Sequence, residues 1–412
     1  MGEILNEAIV ALRYNRRRSM LTMLGMAWGI ATVVLLLAYG NGFGQAIENI
    51  FASFGMKTMI IIPGRSSMQA GGEKAGAQVR MTLDDVELLT TNLPQITRIS
   101  PEVNKQCIVQ FDTRSFTFQV TGSYPSIQDI RVLPVGQGRF FNAEDAVQRG
   151  RVVVIGSEAK EKLFSGRNAI GERIRLDGIS YEVVGVLSPK MQNGDDPINR
   201  FLYVPFSTMS DFRDSHYIDD FWINYEVDDY IGLEQSIRNI LAAQHRFNSA
   251  DRRALVVLSL MQQVHQYRII TLGLKVLLAI IGTLTLGIGG VGLMNIMLVS
   301  VTQRTREIGM EKALGCPRQR IFLQFLSEAL AISFMGGVLG VMLAYGVSLS
   351  AGRVTLYSAV AQHAEAGDIQ LLIDPTTLVV ATAILAFVGL VSGMLPAIRA
   401  SKLNPIEALR YE

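Results

Sequence analysis

The sequence predicts a membrane α-helical protein with four transmembrane helices and an exported α+β domain of two subdomains. Of its 412 residues, 49% are hydrophobic and only 18% are charged. The apolar residues are concentrated in four windows, each as long as the roughly 20 residues that a helix needs to cross a bilayer. Between the first two windows lies a long, more polar segment with short strand-like and helix-like patterns, which indicates a folded domain outside the membrane.

The predicted boundaries follow these windows along the chain. In order, they are an N-terminal amphipathic helix with the first span (1–40), the exported domain (41–268) with an inserted β-rich subdomain at about 122–205, the second span (269–301), a charged segment (302–320), the third span (321–351), a short exported loop (352–377), the fourth span (378–398) and a C-terminal tail (399–412). We expect the first window to be an uncleaved anchor, because it is longer than a signal-peptide core and no small-residue cleavage site follows it.

The N-terminal segment 3–13 has apolar residues at helical spacing and polar residues elsewhere on the wheel. Its apolar positions are Ile4, Leu5, Ala8, Ile9 and Leu12. This pattern predicts an amphipathic helix on the inner membrane surface, and a helix packed on a partner or on the other spans is an equally open alternative.

The exported domain begins and ends with mixed strand and helix patterns. A β-branched strand is predicted at 58–62, a helix capped by Thr82 that ends near Pro94, and strands at 107–111 and 115–121. Within the inserted subdomain, strands are predicted at 151–155, 173–176 and 181–187 with a helix at 158–164. A strand at 221–227 and a helix at 231–244 follow, with the same mixed strand and helix pattern as the part before the inserted subdomain.

Lysine and arginine residues predict the orientation of the spans. They precede the first span, fill the segment between the second and third, and follow the fourth, at Arg13, Arg16, Arg17, Arg18, Arg304, Arg306, Lys312, Arg318, Arg320, Arg399, Lys402 and Arg410. By the positive-inside rule, both termini and the 302–320 segment are cytoplasmic and the large domain is exported. This places Cys107 outside and Cys316 inside, so they form no disulfide within one chain, and an impermeant maleimide is expected to label an accessible Cys107 only.

The segment Thr305–Gly315 is charged and helix-prone, although it lies between two long apolar windows. Whatever contacts this segment on the aqueous side can act on both spans. Two further charges, Lys275 and Glu328, fall inside the predicted spans, where ionisable residues are functional candidates. Both lie close enough to an interface for structural pairing, which we favour over ion translocation.

Glycines spaced four apart predict close packing of the spans. The pairs are Gly25 with Gly29, Gly40 with Gly44, Gly336 with Gly340, and Gly389 with Gly393. Small residues at this spacing let helix backbones approach in lipid, where no hydrophobic driving force holds helices together. Together the pairs favour mobile, tightly packed helices and a dimer.

Several kinds of chemistry are missing from the sequence. There is no Gly-x-x-x-x-Gly-Lys-Ser/Thr phosphate loop, no Gly-x-Ser-x-Gly nucleophile motif, and no metal-ligand spacing around the four histidines. We therefore expect no catalytic residues, no metal, no cofactor and no nucleic acid on this chain. If ATP is used, the ATPase belongs to another chain.

The motifs around the charged segment resemble the FtsX-type permease domain of MacB-like ABC transporters. They are Gln303-Arg304-Thr305-Arg306-Glu307-Ile308-Gly309, Lys312-Ala313-Leu314-Gly315, Glu328, Gly336 to Gly340, and Pro396 to Ala400 followed by Pro405 to Tyr411. The exported part resembles the periplasmic core domain of the same family in Gly138-Arg139-Phe140-Phe141, Val152 to Gly156, Ile170-Gly171 and Val183 to Leu187. One departure is Asn168-Ala169, where relatives often have Asp-Pro before Ile-Gly.

This resemblance implies a homodimeric inner-membrane permease in membrane lipid. A separate ABC ATPase would bind ATP and Mg, and the long second helix would transmit its movement to the exported domain, which expels substrate. Arg306, Glu307, Gly309, Glu311, Lys312, Leu314 and Gly315 would form the coupling helix that docks on the ATPase. A periplasmic adaptor and an outer-membrane channel are further expected partners. The alternatives are a lipoprotein-releasing permease and a signal transducer that controls an exported partner such as a cell-wall hydrolase.

Overall fold

The computed structural model describes residues 16–69, 74–190, 198–351, 353–354 and 368–408. The chain divides into two compact units. The membrane unit comprises Met1–Ala46, Arg268–Thr355 and Ile369–Glu412, and the β-rich unit comprises Ile47–Tyr267 and Leu356–Asp368. The amphipathic helix predicted at 3–13 lies outside the described residues.

The helices include four that are long and apolar enough to cross a membrane, namely α1, α7, α9 and α10. In chain order the helices are α1 (Arg16–Ala52), α2 (Leu83–Asn92), α3 (Ile127–Ile130), α4 (Ala143–Val147), α5 (Ser157–Phe164), α6 (Tyr230–His245), α7 (Leu260–Gln303), α8 (Thr305–Ala313), α9 (Arg318–Ala351), α10 (Pro375–Lys402) and α11 (Pro405–Ala408). The four predicted spans are therefore confirmed as helices. Each helix runs past its apolar window, because polar residues such as Gln262 and Gln263 continue α7 although they lower its hydropathy.

The strands of the β-rich unit form one mixed sheet. In chain order the strands are β1 (Thr58–Pro63), β2 (Ile96–Phe111), β3 (Arg114–Ser123), β4 (Val135–Gly138), β5 (Val152–Ile155), β6 (Arg173–Leu176), β7 (Ile179–Leu187), β8 (Leu202–Pro205), β9 (Asp220–Tyr225), β10 (Leu255–Ser259), β11 (Arg353–Val354) and β12 (Ile369–Gln370). The order across the sheet is β10-β1-β9-β2-β3-β8-β5-β7-β4, and β6 pairs with β2 and β7. The short β11 and β12 pair with each other in the membrane unit.

Two apolar cores lie against this sheet. The larger one packs Leu89 of α2 and Leu241 of α6 against strand residues such as Ile61 and Ile223. The other gathers around β5, β7 and β8 and includes Tyr203. The strands within 122–205 join the rest of the sheet through the parallel pair β3–β8 and the antiparallel pair β2–β6. The subdomain boundaries at 122 and 205 stay predictions.

Local sequence signals start several of these helices. The carboxylate of Asp85 accepts the amide of Thr82 at 2.8 Å and closes the first turn of α2. Asp229 accepts the amide of Gly232 at 2.9 Å at the start of α6. At the start of α10, Asp374 accepts the amide of Thr377 at 2.8 Å and Pro375 takes the first helical position. Each side chain satisfies an amide that the helix itself leaves unpaired.

Candidate functional site

The charged segment between the second and third long helices forms the short helix α8. Glu307 lies in its first turn and Lys312 in its last turn, so each charge opposes the partial charge of the nearer helix end. Gly315 follows with a φ of +93°, a left-handed conformation that residues with a side chain rarely adopt. This turn lets α9 begin at Arg318, only a few residues after α8 ends.

The inward face of α8 is apolar and tightly packed. Thr305, Ile308 and Gly309 are buried, which is the spacing of one helix face. Ile308 belongs to an apolar cluster with Val301 of α7 and Ile321 of α9. Consequently α8 is a fixed part of the membrane unit and not a solvated loop.

The outward face of α8 combines charges with exposed apolar side chains. Arg306, Glu307 and Glu311 are exposed, and none of them forms an ion pair with another residue that the structure describes. Leu314 is 89% exposed and Met310 is 48% exposed. Exposed apolar side chains ringed by charges are typical of a protein-binding surface. Met310 was not among the residues that the sequence predicted for this site.

A first support of α8 is an ion pair at its start. Arg304, the residue before α8, places its Nη1 atom 3.2 Å from Oε2 of Glu328 in α9. The Glu328 side chain is only 10% exposed, so its carboxylate needs a partner in the protein. The pair therefore ties the junction of α7 and α8 to the first third of α9. Glu328 thus has a structural partner in Arg304.

A second support is Lys312, near the end of α8. Its ammonium donates hydrogen bonds to the carbonyl oxygens of Ser401 at 2.5 Å and Leu403 at 2.7 Å. These carbonyls end α10, where a helix leaves acceptors without partners and carries a partial negative charge. Partial burial, with the nearby charge of Arg318, lowers the pKa of Lys312. The side chain therefore caps a helix of its own chain.

A third support is the contact between α8 and α11. A Cβ atom built at Gly309 would lie 2.7 Å from the Cβ of Ala408, closer than real Cβ atoms come. Only glycine allows this approach. Of the seven residues that the sequence assigned to the coupling helix, Gly309 and Lys312 thus face the chain itself, while Arg306, Glu307, Glu311, Leu314 and Gly315 are exposed.

Glycines make the crossings between the long helices. A Cβ at Gly29 would lie 2.9 Å from the Cα of Leu286 in α7. At Gly336 and Gly340 it would meet Met26 at 2.8 Å and Ile30 at 1.9 Å, both in α1. These positions therefore hold backbones of different helices close together.

The remaining glycines differ in how they contact neighbouring helices. Cβ atoms at Gly389 and Gly393 would meet Ser333 Oγ at 2.8 Å and Ala329 Cβ at 2.7 Å, so both lie at the crossing of α10 and α9. Gly25 differs, because a Cβ there meets nothing within 4 Å. Its carbonyl oxygen is instead approached by Gly289, whose Cβ would lie 3.1 Å away. The backbone of Gly25 in α1 therefore lies against Gly289 in α7, where the absence of a side chain leaves room for it.

Lys275 of α7 lies along the glycines at the end of α1. Its Cγ is 3.0 Å from a Cβ built at Gly40, and its Nζ is 3.9 Å from one built at Gly44. A larger residue at Gly40 would crowd the lysine stem, whereas at Gly44 it would meet Thr271, whose Cγ2 lies 3.1 Å from the built Cβ. Gly40 therefore makes room for Lys275, and Gly44 makes room for Thr271 of the same helix.

The β-rich unit contains buried charges that the sequence did not reveal. Glu102 of β2 and Asp220 of β9 are direct cross-strand partners. Arg131 reaches Glu102 at 3.7 Å and stacks on Trp222 with its Cζ 4.2 Å from the ring centroid. Burial, together with the charge of Glu102, raises the pKa of Asp220 well above its ordinary value. The two carboxyl groups therefore resist being ionised together.

The pKa of Asp251 is lowered, whereas that of Asp220 is raised. Its carboxylate accepts hydrogen bonds from the Ser67 amide and hydroxyl, at 2.5 and 2.8 Å, and from the Met68 and Arg253 amides at 3.0 Å each. Burial opposes the charge, but these donors outweigh it and lower the pKa of Asp251 to about 2. One carboxylate thus fastens the segment after β1 to the segment before β10.

Cys107 is not the accessible labelling site that the sequence predicted. Its side chain is only 1% exposed in the larger core. Burial, with the neighbouring Asp177, raises the pKa of Cys107 to about 12, so the reactive thiolate is scarce. Cys107 is therefore a packing residue that a maleimide will not reach. In the part of the chain that the structure describes, no group of three or more His, Cys, Asp or Glu side chains could hold a metal.

Comparison with known proteins identifies both halves of the chain. A family model described as MacB-like periplasmic core domain matches residues 19–241, and one described as FtsX-like permease C-terminal matches residues 279–405. The macrolide export ATP-binding/permease protein MacB of Bdellovibrio bacteriovorus is 34% identical over 100% of this chain and 62% of the relative. The pyoverdine export ATP-binding/permease protein PvdT of Pseudomonas putida is 32% identical over 100% of this chain and 60% of the relative.

The chain thus spans about three fifths of the length of these curated relatives. Among solved structures, the periplasmic region of MacB from Actinobacillus actinomycetemcomitans aligns with 54% of this chain and 97% of its own, at 21% identity and a TM-score of 0.44.

Proposed function

We propose that this chain, which belongs to the MacB-like family of membrane permeases with an FtsX-like C-terminal domain, is the permease subunit of an ABC-type exporter. In this proposal an ATPase on a separate chain binds ATP and Mg, and α8 carries its movement into the long helices. The relatives named above are ATP-binding/permease proteins of export, and this chain matches them over all of its length. The substrate of this chain is not implied by theirs.

The observation that carries the proposal is the three-point support of α8. Arg304 ties its start to α9, Gly309 seats it on α11, and Lys312 ties its end to α10. A force applied to the outward face of α8 therefore reaches α9 and α10 through these ties, and α7 through the chain at Arg304. A solvated loop would have neither these ties nor a buried apolar face.

The length of α7 supports transmission beyond the bilayer. This helix has 44 residues, which corresponds to about 66 Å at 1.5 Å per residue. The hydrocarbon core of a membrane is about 30 Å thick, so much of α7 extends past it. One continuous helix thus leads along the chain from the end of β10 to the start of α8. We propose that it moves the periplasmic domain, which expels the substrate.

The exposed surface of α7 supports a homodimer. The most apolar stretch of α7 is 17% buried within one chain, whereas that of α1 is 44% buried. A second copy would cover the α7 surface that one chain leaves open. We place both termini and α8 on the cytoplasmic side of the bacterial inner membrane, on the basis of the cations around α8 and at the end of α10. A periplasmic adaptor and an outer-membrane channel stay expected partners.

The experiment is co-purification of the full chain with its ATPase from native membranes. The double variant Arg306→Ala/Glu307→Ala removes two exposed charges from α8, and Arg320→Ala removes an exposed cation of the same segment outside α8. If these charges are among the few residues that dominate the interface, their loss costs about 1 to 3 kcal/mol, so we expect roughly 5- to 150-fold less co-purified ATP hydrolysis for the double variant. Arg320→Ala should match the unaltered chain.

Unchanged ATP hydrolysis in the double variant, with transport also unchanged, would refute the coupling role. Circular dichroism and size-exclusion profiles identical to those of the unaltered chain show that the variant is folded.

A further inference from the structure

A groove of about 630 Å³ lies between the ends of α7 and α10. Leu298 and Val299 line it from the last turns of α7, and Ile398 lines it from α10. Arg399 and Lys402, in the last turn of α10, complete the rim. The groove belongs to the membrane unit, and its two main walls are helices long and apolar enough to span a membrane.

The charges on the rim are available to a ligand. Arg399 and Lys402 are exposed, and neither forms an ion pair with a residue in the described ranges. Glu407 of α11 also lines the groove, so the three side chains together carry one positive charge. That charge suits a ligand with a single negative charge.

The position of the groove specifies what kind of anion it meets. Both helices end here, at Gln303 and Lys402, after long apolar runs. Helix ends of this kind lie where the hydrocarbon core meets the phosphate layer. Apolar side chains on one side and cations on the other match an acyl chain and a phosphodiester. Basic pockets between membrane helices are known to hold anionic lipid headgroups.

We propose that this groove binds an anionic phospholipid, with its phosphate against Arg399 and Lys402 and an acyl chain along Leu298, Val299 and Ile398. Thr305, the first residue of α8, lines the same groove. The bound lipid therefore contacts the helix that joins α7 to α9. This inference goes beyond the proposed function and does not depend on an ATPase.

The test uses the full chain reconstituted in vesicles of phosphatidylglycerol and phosphatidylcholine and then extracted in mild detergent. Native mass spectrometry counts the lipids that each protein retains. The unaltered chain should retain phosphatidylglycerol in preference to phosphatidylcholine. Each cation near a membrane surface contributes about fivefold to binding, so Arg399→Gln/Lys402→Gln should lower retention roughly 25-fold. The matched control Arg318→Gln/Arg320→Gln removes two exposed cations outside the groove and should retain the lipid.

A second variant tests the apolar side without changing charge. Leu298→Trp places a larger side chain in the groove and should also lower phosphatidylglycerol retention. Equal retention of both lipids by the unaltered chain, or equal losses in the groove and control variants, would overturn the proposal. Loss of a co-purified protein from the groove variant, with lipid retention unchanged, would also overturn it and would assign the groove to a protein partner.

Discussion

Replacing Lys312 with methionine should release the end of α10 while leaving α8 helical. Methionine keeps the length of the side chain and its helix propensity, but it cannot donate to the carbonyl oxygens of Ser401 and Leu403. Those two bonds are 2.5 and 2.7 Å long in the structure. The substitution therefore isolates the cap from the rest of the contact between α8 and its neighbours.

The size of the effect follows from the two bonds. A hydrogen bond from a charged donor contributes about 1.5 to 3 kcal/mol. Water can replace the ammonium at part of this site, because Lys312 is only partly buried, so we take about 2 kcal/mol for the pair. That free energy corresponds to roughly 30-fold more frequent opening of residues 401–408, the segment that the cap holds in place.

Hydrogen exchange measures this opening directly. The Ala408 amide donates to the Asn404 carbonyl at 2.9 Å, so its exchange reports whether α11 is formed. A peptide covering residues 401–408 should exchange about 30-fold faster in Lys312→Met. Arg306→Met is the matched control, because it removes a cation from the exposed face of the same helix. The reasoning is refuted if both variants exchange at the rate of the unaltered chain, or if they accelerate equally.

Further predictions concern the β-rich unit. Asp220→Asn should raise the melting temperature measured at pH values above 7. The raised pKa of the Asp220 carboxyl makes folding less favourable as the pH rises above the pKa of that group in the unfolded chain, by at most about 1.4 kcal/mol per pH unit. Asp251→Asn should lower the free energy of unfolding at pH 7 by about 2 to 3 kcal/mol, since its pKa falls from about 3.9 unfolded to about 2 folded. In spheroplasts an impermeant maleimide should label Val147→Cys, whose side chain is 83% exposed in the unaltered chain, but neither Cys107 nor Cys316.

Each of these has its own contrary result. The pH dependence assigned to Asp220 is wrong if the asparagine variant melts with the same pH profile. For Asp251, the unaltered chain should lose that stability between about pH 4 and pH 2 and the variant should not, so parallel acid profiles would contradict the assignment. Labelling of Cys316 but not of Val147→Cys would reverse the proposed orientation.

The sequence predicted the long helices well because a bilayer imposes a simple length and composition on them. It also located the helix start at Thr82, where local capping chemistry acts within a few residues. It started the fourth span at 378 and did not predict the cap at Asp374, which lies before the apolar window. It did not predict β4, β8 or β10. β4 contains two glycines, β8 is only four residues long, and β10 runs directly into α7, so neither periodicity nor a turn signal separates it.

At the candidate site, too, features set by neighbouring residues could be predicted, whereas contacts between residues far apart in the chain could not. The charged segment and its exposed charges were evident from composition and from the family motif, whereas the exposed Met310 was not. The role of Lys312 was not, because its acceptors Ser401 and Leu403 are 89 and 91 residues away and are backbone atoms, which no side-chain pattern marks. Gly309 was expected to bring a partner close, whereas the close approach that the structure contains is to Ala408. Glu102 and Asp220 meet only through the register of β2 and β9.

The ties of α8 to α9, α10 and α11, together with its chain connection to α7, have a consequence for how α8 can move. Helices that are rigidly connected at one end move together there, as a single rigid body. A displacement of α8 must then appear as a common tilt or translation of α7, α9 and α10, or it must break one of the ties. Distances between these helix ends should stay constant while the whole set changes its angle to the membrane normal, and paired spin labels at the helix ends can follow this during ATP turnover.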